Sequence, residues 1–255
     1  MGMSMSSAKA DAELVRLRKE DGIAWIEMLD AAGHNGFSPH FVPALLAVLD
    51  EVEASPDVVV AILAGLPEVF SSGATREVLE AIREGQLLPT ELVLGRRLMG
   101  LRVPVIAAAE GHAIGGGFAL LLSCDLTVLA KESRYGANFM SLGITPGMGI
   151  TRLLEEVVGK SLAHELLYTG EVRRGTSLEG VGFSAVVERK EVRDRAHALA
   201  WSISEKPRRS VELLKRALSL PRRRAFEEAL TIESMMHERS FRDLDVEGLG
   251  RGGLK

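Results

Sequence analysis

The sequence predicts an α/β fold followed by a helical C-terminal part. Short β-branched runs such as Val58–Leu63 (VVVAIL) lack polar alternation, as strands covered on both faces do. Amphipathic segments at helical spacing separate these runs. After Gly149 the pattern turns mainly helical. Strand–helix alternation at this spacing implies α/β units with right-handed crossovers.

Taken in order, Glu13–Glu20 and Ile23–Asp30 read as two strands around Asp21-Gly22, a strong hairpin signal. Ser38-Pro39 opens a helix. Serine suits the N-cap, and proline at the first position loses no needed hydrogen bond. Phe41, Leu45, Val48, Leu49 and Val52 form its apolar stripe. Arg76–Arg83 and Glu91–Leu101 read as helices, Val103–Ala109 as a strand, Gly117–Cys124 as a helix and Leu126–Ala130 as a strand. Later helices are expected at Ile150–Val158, Ser161–Tyr168, Glu191–Ser204, Arg208–Leu218 and Arg222–Phe241, with Ala185–Glu188 as the one later strand. The composition shifts near Pro207. The domain reading is a core over 11–206, a helical subdomain over 207–242 and a disordered tail over 243–255.

Composition narrows the function. The chain has 255 residues, 46% apolar and 26% charged, which suffices for a sizeable core. A net charge of −4 gives no global attraction to nucleic acid or anionic lipid. The single cysteine, Cys124, excludes an internal disulfide and a cysteine-based zinc site, and a reducing, cytoplasmic compartment fits. The longest uncharged run, between Arg134 and Arg152, holds four glycines and a proline besides, so no membrane helix is expected.

Two glycine-rich turns stand out. Val69–Thr75 (VFSSGAT) follows the VVVAIL run, and Glu110–Phe118 (EGHAIGGGF) follows VIAAA; each precedes a helix. A helix N-terminus presents unpaired N–H groups, and glycine lets a substrate approach the backbone closely. Two such turns on neighbouring strands suit the stabilisation of one developing oxyanion. Either turn alone is better explained as a tight turn, and GGGF lacks the dinucleotide spacing.

The pair, with FSSGA at Phe70–Ala74, GHAIGGGFAL at Gly111–Leu120, Cys124-Asp125 and LGITPGMGITRLLEEVVG at Leu142–Gly159, resembles the crotonase (enoyl-CoA hydratase/isomerase) superfamily from about Glu13 to Phe241. The resemblance implies the ClpP/crotonase-like fold of repeated ββα units, usually trimeric. It implies binding of acyl thioesters of coenzyme A or of a carrier protein's phosphopantetheine. By match, the backbone N–H groups of Ala74 and Gly116 hold the thioester oxygen. Ser72, Gly115, Phe139, Glu233 and Arg76 are the candidate substrate-binding residues.

The departures matter as much. Family hydratases carry glutamates where this chain has Ala119 and Phe139. Adding water to a double bond needs an acid and a base, which these residues cannot supply. What remains is an oxyanion hole in an apolar pocket, able to stabilise an enolate formed by loss of CO₂. GHAIGGGF, YGANFMSLGITPGMG and MMHERSF are similar to the decarboxylase branch of polyketide β-branching cassettes. That similarity implies decarboxylation of a 3-methylglutaconyl group to a 3-methylcrotonyl group on an acyl carrier protein, without metal or redox cofactor. It also implies a C-terminal histidine, matching His237, and a lysine after the first turn. No lysine lies between Lys19 and Lys131; the matching position is approximately Leu88, and Arg76 or Arg83 are the substitutes considered.

His237 shares a stripe with Phe226, Leu230 and Glu233, since offsets of 4, 7 and 11 return to one face at ~100° per residue. Glu233 is placed to orient its imidazole. A lone helical histidine is usually structural; the stripe and the family match favour catalysis here. His34, His40, His164 and His197 read as structural. His112 either lines the pocket or is a plain loop residue. Cys124 reads as a small buried residue. Met140, Met148, Met235 and Met236 are core or pocket side chains. The basic run Lys206–Arg224 is either a solvated helix face or a docking patch for an acidic carrier protein. The alternatives are an isomerase or hydrolase of a coenzyme A thioester, or a non-catalytic acyl-carrier-binding subunit.

Overall fold

The computed structural model describes residues 13–87 and 94–241. Strands β1 (Val15–Glu20) and β2 (Ile23–Met28) form an antiparallel hairpin. Its turn residues Asp21 and Gly22 both have positive φ, 50° and 78°, the conformation a two-residue hairpin loop demands. Helix α1 (Phe41–Ala54) follows, its first amide donating to the Ser38 Oγ at 3.0 Å. Strand β3 (Val60–Ala64), β4 (Val69–Ser71), α2 (Arg76–Arg83) and α3 (Leu94–Gly100) come next. Then come β5 (Val105–Ala109), β6 (His112–Ile114), α4 (Gly116–Leu122), β7 (Leu126–Ala130) and β8 (Arg134–Gly136). The chain continues through α5 (Ile150–Val158), α6 (Lys160–Thr169), β9 (Val172–Arg174), β10 (Ala185–Val187), α7 (Val192–Ser204) and α8 (Arg208–Ser240).

The strands form two sheets. The larger has the order β1-β2-β3-β5-β7-β10, parallel apart from the β1–β2 hairpin. Its central strands are buried on both faces, which explains the absence of polar alternation. Ala61, Leu63, Ala107 and Ala109 enter the main core. Their neighbours Val60, Ile62, Ile106 and Ala108 pack under α7 on Val192, Ala196 and Ala200. The smaller sheet, β4-β6-β8-β9, is a departure from expectation. Its strands span three residues each, too short for a periodic signal. The two glycine turns therefore follow β4 and β6, not the long strands directly.

A second departure is α8. A break near Pro221 was expected, but the helix runs through it. An internal proline costs about 3 kcal/mol. Tertiary contacts on both sides of it outweigh that. Buried Lys215 donates to both Asp125 oxygens at 2.6 Å, and Arg222 donates to the carbonyls of Leu122 and Cys124 at the end of α4. These two side chains of the basic run are thus committed to the core. The proposed tail 243–255 lies outside the described residues, as does Leu88. Among the described residues no helix is long and apolar enough to cross a membrane.

Candidate active site

Strands β4 and β6 are parallel neighbours, with Ser71 opposite Ala113. Both glycine turns therefore emerge from the same end of one sheet. They touch: a Cβ on Gly73 would lie 2.8 Å from the Gly116 nitrogen. Only glycine fits at 73, whose φ is also +80°. Phe37 N–H bonds the Gly73 carbonyl at 2.8 Å in a parallel bridge pairing Phe37 with Ala74. Alternate residues of a parallel pair turn their N–H groups to opposite sides, so the Ala74 N–H faces away from Phe37. Gly116 opens α4, so its N–H has no acceptor within the helix. Neither N–H donates to another backbone group outside regular structure among the described residues.

Gly115 has φ +56° and ψ −121°, open to glycine alone. Its own N–H is taken by the Gly136 carbonyl at 2.8 Å. Gly115 thus aims the next amide and is not itself a donor to substrate. Ser72 donates its N–H to the His34 carbonyl at 3.1 Å, and its side chain is exposed.

Beside the first turn stands an apolar wall. Val78 and Ile82 on α2, Ile144 and Phe241 pack together, with Ala74, Leu79, Leu142 and Phe139 against them. Phe139 thus brings a ring to the wall, and Ala119 is fully buried in α4. Arg76 lies on the opposite, exposed face of α2 with Glu80, and Arg83 is paired with Glu84. The inward position at the end of α2 is Ile82, so this wall carries no cation from α2.

His237 is 5% exposed. Its Nε2 is 2.9 Å from the Pro146 carbonyl. A carbonyl only accepts, so Nε2 carries the hydrogen, and Nδ1 has no protein partner among the described residues. Its ring meets Phe241 edge-on at 5.1 Å, at the margin of the apolar wall. Burial lowers the imidazole pKa below the usual histidine range, and the hydrogen bond to Pro146 opposes that shift.

Glu233 corrects the expectation that it orients His237. Its Oε2 accepts from Gly149 N–H at 2.7 Å, and Oε1 accepts from the Thr151 N–H and hydroxyl at 3.1 and 2.7 Å. The carboxylate caps α5. Burial pushes its pKa up, and these three bonds pull it down. His112 accepts from Arg134 N–H at 2.9 Å at the start of β6, away from the turn, which makes it structural. Burial pushes the Cys124 thiol up to about 12, which excludes a thiolate nucleophile. Of Met140, Met148, Met235 and Met236, it is Met148 that reaches the turn: its sulfur would be 3.1 Å from a Cβ on Gly116.

Sequence reasoning missed Asn35. It is fully buried, and its amide donates to the Met28 and Phe70 carbonyls at 3.3 and 3.0 Å. Its own carbonyl accepts from the Ser71 hydroxyl at 2.8 Å. It ties the 30–37 loop to β4 under the first turn. The His34-Asn35-Gly36 turn signal was the only available hint. Among the described residues no group of three or more His, Cys, Asp or Glu side chains is placed to hold a metal ion.

The family described as enoyl-CoA hydratase/isomerase matches residues 18–253. The chain is 38% identical over 242 residues to the bacillaene synthase decarboxylase PksI of Bacillus subtilis, covering 94% of this chain and 96% of that protein. A structure solved in work on a dehydratase/decarboxylase enzyme couple involved in polyketide β-branching superposes with a TM-score of 0.90 at 38% identity. It covers 94% of this chain and 98% of the other. The ECH2 decarboxylase domain of CurF from Lyngbya majuscula superposes at 0.85 with 35% identity, over 92% and 97% of the two chains.

Proposed function

The chain belongs to the enoyl-CoA hydratase/isomerase family, and from that premise we propose that it removes CO₂ from a 3-methylglutaconyl-type thioester on an acyl carrier protein, leaving a 3-methylcrotonyl-type thioester. It is a carbon–carbon lyase, a decarboxylase of polyketide β-branching like its relatives. The carrying observation is two converging glycine turns beside an apolar wall, with an alanine and a phenylalanine at the hydratase carboxylate positions.

The Ala74 and Gly116 N–H groups hold the thioester oxygen. The substrate carboxylate lies against the wall of Val78, Ile82 and Phe139, where shedding its charge as CO₂ is favoured. As the C–CO₂ bond breaks, its electron pair enters the thioester as a dienolate, which the two donors stabilise. A proton returns to carbon. His237 delivers it: Nδ1, the free acceptor because Nε2–H is held by Pro146, takes a proton from solvent and passes that proton to carbon, which returns the imidazole to its neutral form. The electron sink is the thioester, so the chemistry calls for no metal or redox cofactor.

We assign residues 11–206 to the core and 207–242 to a helical part that closes the site through His237 and Phe241. The homotrimer reading draws support from exposed Leu214, Leu218, Ile232 and Met235, which recur along α8. An acidic carrier protein is the proposed partner. Arg216 and Arg223 line a groove of about 350 Å³ beside α8 and offer it positive charge, while Arg102 and Arg209 in the same groove are paired with Glu53 and Glu212. A cytoplasmic site fits the one free, buried cysteine.

Mass spectrometry of candidate acyl-carrier substrates tests the reading. Loss of CO₂ supports it. Gain of water, or turnover of coenzyme A thioesters alone, overturns it. Tight binding without turnover replaces it with the non-catalytic subunit.

A further inference from the structure

The segment 146–151 is gripped by α8 on one side and presses the oxyanion turn on the other. Phe226 packs on Gly149 so closely that a Cβ there would lie 2.1 Å from its ring. His237 holds the Pro146 carbonyl, and Glu233 holds Gly149 and Thr151. Between these anchors Met148 adopts φ +62°, a left-handed conformation that an unbranched side chain occupies only when its surroundings impose it. Its buried sulfur and the Phe37 ring flank Gly116, the second oxyanion donor.

We infer that Glu233 is a positioning residue which, by capping α5, forces Met148 against Gly116 and so sets the dry wall behind the oxyanion hole. A helix N-terminus favours a carboxylate, and three donors converge on this one. Glutamine keeps the size of Glu233 but presents an NH₂ to one of those donors, so the cap opens on the Gly149 or the Thr151 side. Met148 then loses the restraint on its left-handed backbone. Water reaches the hole, where exclusion of solvent is what makes two N–H groups effective.

The inference rests on the decarboxylase reading of the site, and its test has an arm that does not. Protein labelled with [methyl-¹³C]methionine gives a Met148 signal identified by its loss in Met148→Ala. In folded Glu233→Gln that signal shifts. With substrate, Glu233→Gln lowers kcat by about 10²-fold, the scale of a 1 Å misplacement, and leaves KM within threefold. Met148→Ala lowers kcat similarly, and the double variant is no worse than either single one. An unmoved Met148 signal in folded Glu233→Gln, or effects on kcat that multiply, overturns the inference. If Glu233→Gln does not fold, Thr151→Val removes one of the three donors, and a smaller shift of the same signal is required. Absence of any turnover by the unaltered protein sinks the decarboxylase reading, while the Met148 signal still decides the clamp.

Discussion

Replacing Gly73 with alanine separates the oxyanion donors from the backbone that carries them. The added Cβ would lie 2.8 Å from Gly116 N, 3.0 Å from Gly117 N and 3.1 Å from Gly116 Cα. All three are main-chain atoms, so no flexible side chain can yield. The turn must open, and Gly116 N–H moves off the thioester oxygen. Losing one such donor costs about 10²–10³ in kcat, or about 2.7–4 kcal/mol. A left-handed alanine separately costs roughly 1–2 kcal/mol of stability. Gly85→Ala is the control: its φ is +72°, but nothing lies within 4 Å of the added Cβ. It should lose stability to a similar degree and retain full turnover. The assay is CO₂ release per folded molecule, with the melting temperature taken on the same samples. If Gly73→Ala falls in melting temperature like Gly85→Ala and keeps its kcat, Gly116 N–H does not hold the oxyanion.

Crotonyl thioesters should gain no water at a rate useful for catalysis, because Ala119 and Phe139 offer no proton transfer; a rise in product mass by one water would refute this. His237→Ala should lower turnover by about 10²–10⁴ while the protein stays folded, and unchanged kcat removes His237 from the mechanism. Burial depresses the His237 pKa in the folded state, so the unfolded chain binds more protons between the two values. Its contribution to stability is therefore full above about pH 6.5 and lost as pH falls below it; urea melts of His237→Phe should lack this dependence. Lys215→Met strands Asp125 and should cost about 3–5 kcal/mol by chemical denaturation, with a loss under 1 kcal/mol refuting the role given to the pair. Light scattering should show a trimer at micromolar concentration, and a stable monomer counts against that assembly.

The α/β class, the large parallel sheet and most helices were legible in the chain because their signals are local. Asp21-Gly22 dictates its own hairpin, VVVAIL its own burial, and Arg76–Arg83 its own amphipathic helix. The two glycine turns were legible too, since glycine at 73 and 115 answers a local backbone need, while the choice of Ala74 and Gly116 as oxyanion donors came from the family resemblance. The smaller sheet was not, because three-residue strands form only when neighbours supply their hydrogen bonds. Nor was the continuity of α8 through Pro221, which depends on pairs 90 and 100 residues apart in sequence, Lys215 with Asp125 and Arg222 with Leu122. The four-residue spacing of Glu233 and His237 suggested a dyad. Packing sent the carboxylate to the α5 N-terminus and the imidazole to Pro146, because a buried charge settles where the most donors converge, and those donors come from a segment some 80 residues earlier in the chain.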